Sequence, residues 1–205
     1  MAIGCFAELL EYMGSSAAAH LPSIAPVIQA GLADPSPAVR RNACFAVGMM
    51  VCCAPEAMVP HFPALLGAVA PFFEVSHEQD GALADNACSC VARMLKASTE
   101  SVPTEQVLPA LLGALPLKQD FTENENVYSC LAGLLEGKHP HLMALLPQAL
   151  VGVSHGLGAE GVSDATRGRL RASLGVLTTD PSTSVALAAA MGQLPTEVVS
   201  ALQAL

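Results

Sequence analysis

Tryptophan is absent from the 205 residues, and six Phe with two Tyr hold the aromatic share to 4%. With so few rings to fill an interior, the core has to be built from Leu, Ala, Val and Met, which closely packed helices allow and which favours an all-α fold. Charge is scarce as well: 13% of residues are charged against 52% apolar. Even so, no uninterrupted apolar run reaches the roughly 18 residues of a membrane span. The longest, Ala43 to Pro55, fits a buried helix running into a turn. A chain of this length can bury about 70% of the surface its unfolded form exposes, enough for a stable fold.

The motifs of catalysis are missing too. There is no Gly-x-Ser-x-Gly, no His-Glu-x-x-His and no nucleotide fingerprint. Gly156 to Gly161, GLGAEG, lacks the Lys-Ser or Lys-Thr of a phosphate-cradling loop, and no strand precedes it. The six histidines (His20, His61, His77, His139, His141, His155) sit in unrelated turns and helix ends, whereas a metal site needs three or four convergent ligands. Seven cysteines, an odd count with no Cys-x-x-Cys, read as small buried helix residues in a reducing compartment and not as disulfides or zinc ligands. No secretory leader is recognisable at the start. The expectation is therefore a protein that is not an enzyme, with no metal and no cofactor.

Positive charge is in deficit. Nine Lys and Arg against 18 Asp and Glu give a net charge of −9, spread evenly along the chain. Nucleic acid is a poor partner for such a surface, no membrane is implied, and a basic protein segment is a plausible ligand. Solubility alone would also account for the charge.

What is present is a repeat. His61 to Val69, HFPALLGAV, returns 46 residues later as VLPALLGAL (Val107 to Leu115), and a looser copy, HLPSIAPVI, starts 41 residues earlier at His20. Periods of 41 and 46 residues fall in the roughly 40–47 band of two-helix HEAT-type units. Each copy carries Pro near its start and apolar residues at helical spacing, as an amphipathic helix with Pro in its first turn would. A second match, out of phase, supplies the partner helix: RRNACFAVGMMV (Arg40 to Val51), ADNACSCVARML (Ala84 to Leu95) and, more weakly, NVYSCLAGLL from Asn126. A single helix pair cannot cover its own apolar face, so stability comes from stacking on neighbours.

The predicted architecture is a right-handed α-solenoid in one array: a half repeat over 1–14, repeats over 17–54, 56–97, 103–137 and 139–179, and cap helices over 182–205. A start in mid-repeat suggests part of a longer array. Asp34-Pro35 marks an inter-helix turn in which Asp34 and Arg40 can pair, and the matching stretch, Glu78 to Ala84, has Ala84 where Arg40 stands. Asp120, Glu123 and Glu125 concentrate negative charge at a helix start, where the macrodipole favours it.

Asn42, Asn86 and Asn126 fall at comparable places in three second helices, several residues inside, where Asn is a mediocre helix former and cannot cap. Equivalent positions of a solenoid project in a row, and a row of amides can grip an extended peptide backbone while donating and accepting. Asp85, Glu123 and Glu125 could then hold Lys side chains, and Tyr128 could flank a Lys stem or simply pack. The competing assignment has the amides bridging adjacent helices.

The stretches ADPSPAVRRNACFAVGMM, DNACSCVARML, VLPALLGALPLKQD, ENENVYSCLAGLLE and MGQLPTEVVSALQAL resemble the C-terminal HEAT repeats of karyopherin-beta import receptors, the importin-four subgroup first and importin-five next. The likeness covers essentially all 205 residues. It implies a nuclear transport receptor that shuttles between cytoplasm and nucleus. Such a receptor carries basic cargo with nuclear localisation signals, such as histones and ribosomal proteins, and meets Ran-GTP and nucleoporins through repeats not in this chain. It also implies that second helices line the cargo surface. A generic HEAT scaffold that holds folded partners by shape is the alternative.

Overall fold

The computed structural model describes residues 2–74 and 77–203, and among them every regular element is helical. Two compact units form. One comprises the chain up to Pro103 together with Leu117–Glu123, the other Thr104–Pro116 together with the chain from Asn124 onwards.

In the first unit α1 (Ala2–Met13) leads through a 3-10 turn to α2 (Leu21–Leu32), followed by α3 (Pro37–Cys53). Pro22 and Pro37 occupy first-turn positions, where a missing N–H costs nothing. The central helix is α3, which packs against α1, α2 and α6 (His77–Ala97). Nine of its residues from Ala43 to Cys53 are buried, so it is apolar on nearly every side, as a core helix must be.

Between α3 and α6 the chain winds through α4 (Pro55–Met58), a 3-10 turn, α5 (Phe62–Val69) and a second 3-10 turn ending at Glu74. This stretch, Pro55–Glu74, has the length and apolarity of a bilayer span, 20 residues with mean hydropathy 1.2 over an 18-residue window. Met58, Phe62, Leu65, Leu66, Val69 and Phe72 are buried within the unit, 28% of the most apolar window being covered, and a 3-10 turn, Val59–His61, interrupts the helix before a second, Ala70–Glu74, ends it.

The start of α6 is broken at Asp80 (φ −162°, ψ 79°). Asp80 is the working cap: its Oδ1 accepts the Leu83 N–H at 3.1 Å. At the turn before α3, Asp34 and Arg40 are joined but do not form a side-chain ion pair. Asp34 Oδ1 accepts the Ser36 N–H at 2.8 Å, while Arg40 Nη1 donates to the Asp34 and Pro35 carbonyls at 2.8 and 3.0 Å. The side chain of Glu78, expected to be the matching acid, lies outside the described residues.

The second unit holds α7 (Thr104–Gly113), α8 (Asn124–Glu136), α9 (Pro140–Ala144), α10 (Leu146–Gly158), α11 (Asp164–Thr179), α12 (Ser184–Met191) and α13 (Thr196–Gln203). Two expectations shift. Pro109 lies inside α7 and not in its first turn. The Gly-rich stretch expected as a loop is partly helix, since α10 runs to Gly158, and Arg167 closes its end by donating to the carbonyls of Leu157 and Ala159 at 3.1 and 2.8 Å. Ala204, the expected end of the last helix, lies outside the described residues.

The end of α8 is a Schellman turn: the His139 N–H reaches the Leu134 carbonyl at 2.9 Å and the Lys138 N–H the Leu135 carbonyl at 3.0 Å. Lys138 takes the left-handed conformation (φ 46°) that glycine usually fills there. Its ammonium pairs with Asp180. That hydrogen bond, with those from Ser182, holds the Asp180 carboxyl far below the ordinary value of 3.8. A depressed folded-state pKa stabilises above the unfolded value and fades as pH falls through the folded one. In thermal melts Lys138→Gln should therefore lower Tm at pH 7, with the difference shrinking below about pH 4.

Candidate functional site

The residue before each of the three asparagines reaches the next inter-helix segment. In the first unit, Arg41 Nη1 lies 3.7 Å from Asp80 Oδ1, at the break that opens α6. Asp85, fully buried on α6, takes the backbone of the loop after Leu117: Lys118 N–H donates to both its oxygens at 3.1 and 3.0 Å, Gln119 N–H at 2.7 Å and Asp120 N–H at 2.8 Å. In the second unit Glu125 does the same for the start of α11. Its oxygens accept the Ser163 N–H at 2.7 Å, the Ser163 hydroxyl at 3.1 Å and the Thr166 hydroxyl at 2.7 Å. For Asp85, which is buried, such satisfaction is what makes the charge tolerable, whereas Glu125 is half-exposed. These acids latch one repeat to the next.

Asp85 and Glu125 were expected to hold Lys side chains of a ligand, and this structure gives their oxygens to the chain itself. The same correction applies to Glu123, 5% exposed, which accepts from the Ser89 hydroxyl and, at 2.7 Å, from Arg93 Nη1. Burial works against the Arg93 charge, but the Glu123 carboxylate more than offsets it and holds the guanidinium above its ordinary pKa. The Arg93 stem crosses α3 at Gly48, where an added Cβ would sit 2.9 Å from Arg93 Cδ, and its guanidinium lies 5.4 Å from the centre of the Phe45 ring. Tyr128, expected to flank a Lys stem or pack, packs. It is fully buried on α8.

The asparagines divide. Asn86 is 4% exposed and donates to the Ala82 carbonyl at 2.8 Å and to Asp120 Oδ2 at 2.9 Å, the bridging role that was the competing assignment. Asn42 is half-buried on α3, and Asn126 is half-buried in the first turn of α8, not several residues inside a helix.

Within the first unit, Asn42 and Asn86 line a polar cleft of about 410 Å³ with Arg41, Phe45, Ala82, Gln119, Asp120, Thr122 and Glu123. Gln119, Asp120 and Thr122 were not among the expected site residues, because they fall in a turn whose position depends on the Asp85 latch. The signal available was the polarity of Lys118-Gln119-Asp120 directly after an apolar helix. Asp120 accepts from Asn86 and from the Thr122 hydroxyl, and Gln119 Oε1 accepts the Ala82 N–H at 3.2 Å. The lining thus combines acceptors, on Gln119 and Asp120, with the cation of Arg41.

No group of three or more His, Cys, Asp or Glu among the described residues can hold a metal. His139 and His141 meet edge to face at 5.7 Å, and burial followed by the neighbouring imidazole lowers the His139 pKa. Five cysteines are buried and Cys5 and Cys52 are exposed, none in a disulfide. The Cys44 thiol, hydrogen-bonded to Cys90 and buried, is pushed well above its ordinary range, which keeps it unreactive.

Residues 24–51, covering most of α2 and α3, match the HEAT repeat family. Human importin-4 is 31% identical over 203 residues, taking in 99% of this chain and 18% of the human protein. A Schizosaccharomyces pombe protein named probable importin subunit beta-4 is 28% identical over 151 residues, 72% of this chain and 14% of its own length. Mouse importin-4 is 36% identical over 126 residues, 60% of this chain and 11% of the mouse protein. The chain spans less than a fifth of the length of these curated relatives. Paired helices at HEAT spacing and an alignment that runs nearly end to end place the chain in the karyopherin-beta family of importin-like proteins.

Proposed function

We propose that this chain is a cargo-binding part of a nuclear import receptor and that it takes basic, Lys-rich segments of the histone or ribosomal-protein type. The observation that carries the reading is the polar cleft of the first unit, lined by Asn42 on α3 and by Gln119 and Asp120. An extended backbone can exchange hydrogen bonds with the Asn42 amide while Asp120 attracts an ammonium group, and the chain's net charge of −9 favours the encounter. Asp85, Glu123 and Tyr128 act beneath this surface and not on it. Ran-GTP, nucleoporins and shuttling between cytoplasm and nucleus belong to the same proposal, by way of the longer proteins to which this chain is related.

The test is titration of a fluorescent Lys-rich histone-tail peptide at two ionic strengths. Affinity should fall with salt. Asn42→Ala with Asp120→Asn should raise Kd about tenfold or more, the value of one neutral and one charge-assisted hydrogen bond. An affinity indifferent to both changes overturns the reading. The burial of Asp85, Asn86, Glu123 and Tyr128 favours a second one, a HEAT scaffold that binds folded partners by shape. It predicts no preference for basic peptides and capture of folded acidic or neutral proteins.

A further inference from the structure

The wall of the cleft formed by Gln119, Asp120 and Thr122 belongs to a connection without regular structure up to Asp120, followed by a single 3-10 turn, Phe121–Glu123. Its own bonds are few: the Thr122 hydroxyl donates to Asp120 Oδ1 at 2.5 Å and the Glu123 N–H to the Asp120 carbonyl at 3.2 Å. Three consecutive main-chain N–H groups, those of Lys118, Gln119 and Asp120, converge on one carboxylate, that of Asp85. Asp85 has no exposed surface and stands in the middle of the buried run of α6. A carboxylate placed there is costly unless it is satisfied, and the amides of this loop are what satisfy it. The tether also sets register. With Asp120 N–H on Asp85, the Asp120 side chain is directed to Asn86 and Thr122, and Gln119 is laid over Gly81, where an added Cβ would come within 3.0 Å of its Cδ.

We propose that Asp85 is a positioning residue for the cargo cleft: it touches no ligand, and it fixes the loop that carries Gln119 and Asp120 so that the binding wall exists before the peptide arrives. The inference rests on the cargo reading above and adds to it the source of preorganisation.

Asp85→Asn is the direct test, since a carboxamide of the same size still accepts but turns an NH2 group toward donors it cannot bond. Hydrogen exchange at Lys118, Gln119 and Asp120 should quicken at least tenfold, and Kd for the Lys-rich peptide should rise about tenfold. The salt dependence of binding should stay that of the unmodified protein, because no contacting charge is lost. Asp120→Asn, by contrast, should flatten it. Gln119 is exposed, so Gln119→Ala leaves the core intact. It removes the Gln119 Oε1 bond to the Ala82 N–H, a second tether of the same loop, and should quicken exchange at Lys118 and Asp120 with a smaller loss in Kd, of about threefold, even if Asp85→Asn proves too unstable to assay. Faster exchange or a lower Tm with an unchanged Kd in either variant overturns the inference and leaves the cargo reading standing. Absence of binding by the unmodified protein overturns both.

Discussion

Glu123→Gln is expected to cost about 3–5 kcal/mol of folding stability. The Arg93 and Glu123 side chains are 11% and 7% exposed, so neither charge is shared with bulk water. Gln keeps an amide oxygen for Arg93 but removes the anion, leaving a buried guanidinium beside Phe45 and Gly48 with neutral partners, that amide and the Ser89 hydroxyl. The sign reverses when the whole group goes. A Ser89→Ala, Arg93→Met, Glu123→Leu triple variant removes the desolvated charges and every donor and acceptor they used, so it should lie within about 1 kcal/mol of the unmodified protein or above it. Urea denaturation checks both, read from the midpoint at constant slope. A Glu123→Gln variant within 1 kcal/mol of the unmodified protein would refute the buried-pair account.

A comparable loss, about 3–5 kcal/mol, is expected for Tyr128→Ala, which opens a cavity at the centre of the second unit. Tyr128 is the largest fully buried side chain there. Its ring lies against Gly156 of α10 so closely that an added Cβ would stand 2.5 Å from Tyr128 Cδ1. Gly156→Ala should accordingly cost about 1–3 kcal/mol by overpacking. Combined, the two changes should cost less than their sum, because the alanine methyl then enters space the ring has vacated. A coupling energy near zero in the double-mutant cycle would mean that ring and glycine do not share that space.

How far the residues alone disclosed this arrangement depended on the kind of signal. Helix pairing was legible because Pro near the start and apolar residues at helical spacing recur at near-constant intervals, and α2, α3, α5 and α10 do carry Pro in the first turn. The roles of the acids were not. A residue beside a repeated Asn can face a ligand or the next repeat, and spacing along one helix does not distinguish the two, since both directions lie on the polar side. The discriminating cue was local composition. Asp85 and Asn86 interrupt a run in which every residue from Gly81 to Ala92 is buried, and a polar residue in such a run is more economically read as bonded inside than as offered to solvent. Glu125, flanked by Asn124 and Asn126, lacked even that cue. Asp120 was noticed only as a helix-start acid, and its place in the cleft comes from contacts more than 30 residues away in sequence.

The latch at Asp85 also decides where this protein can be cut. A piece ending at Pro103 would look like complete helix pairs, yet it would keep Asp85, Ser89 and Arg93 and discard Leu117–Glu123, which belongs to the same compact unit. An anion and a cation would be stranded in apolar helix packing with their partners gone. Expression fragments of the first unit should therefore extend past Glu123, one loop beyond the boundary that repeat counting suggests.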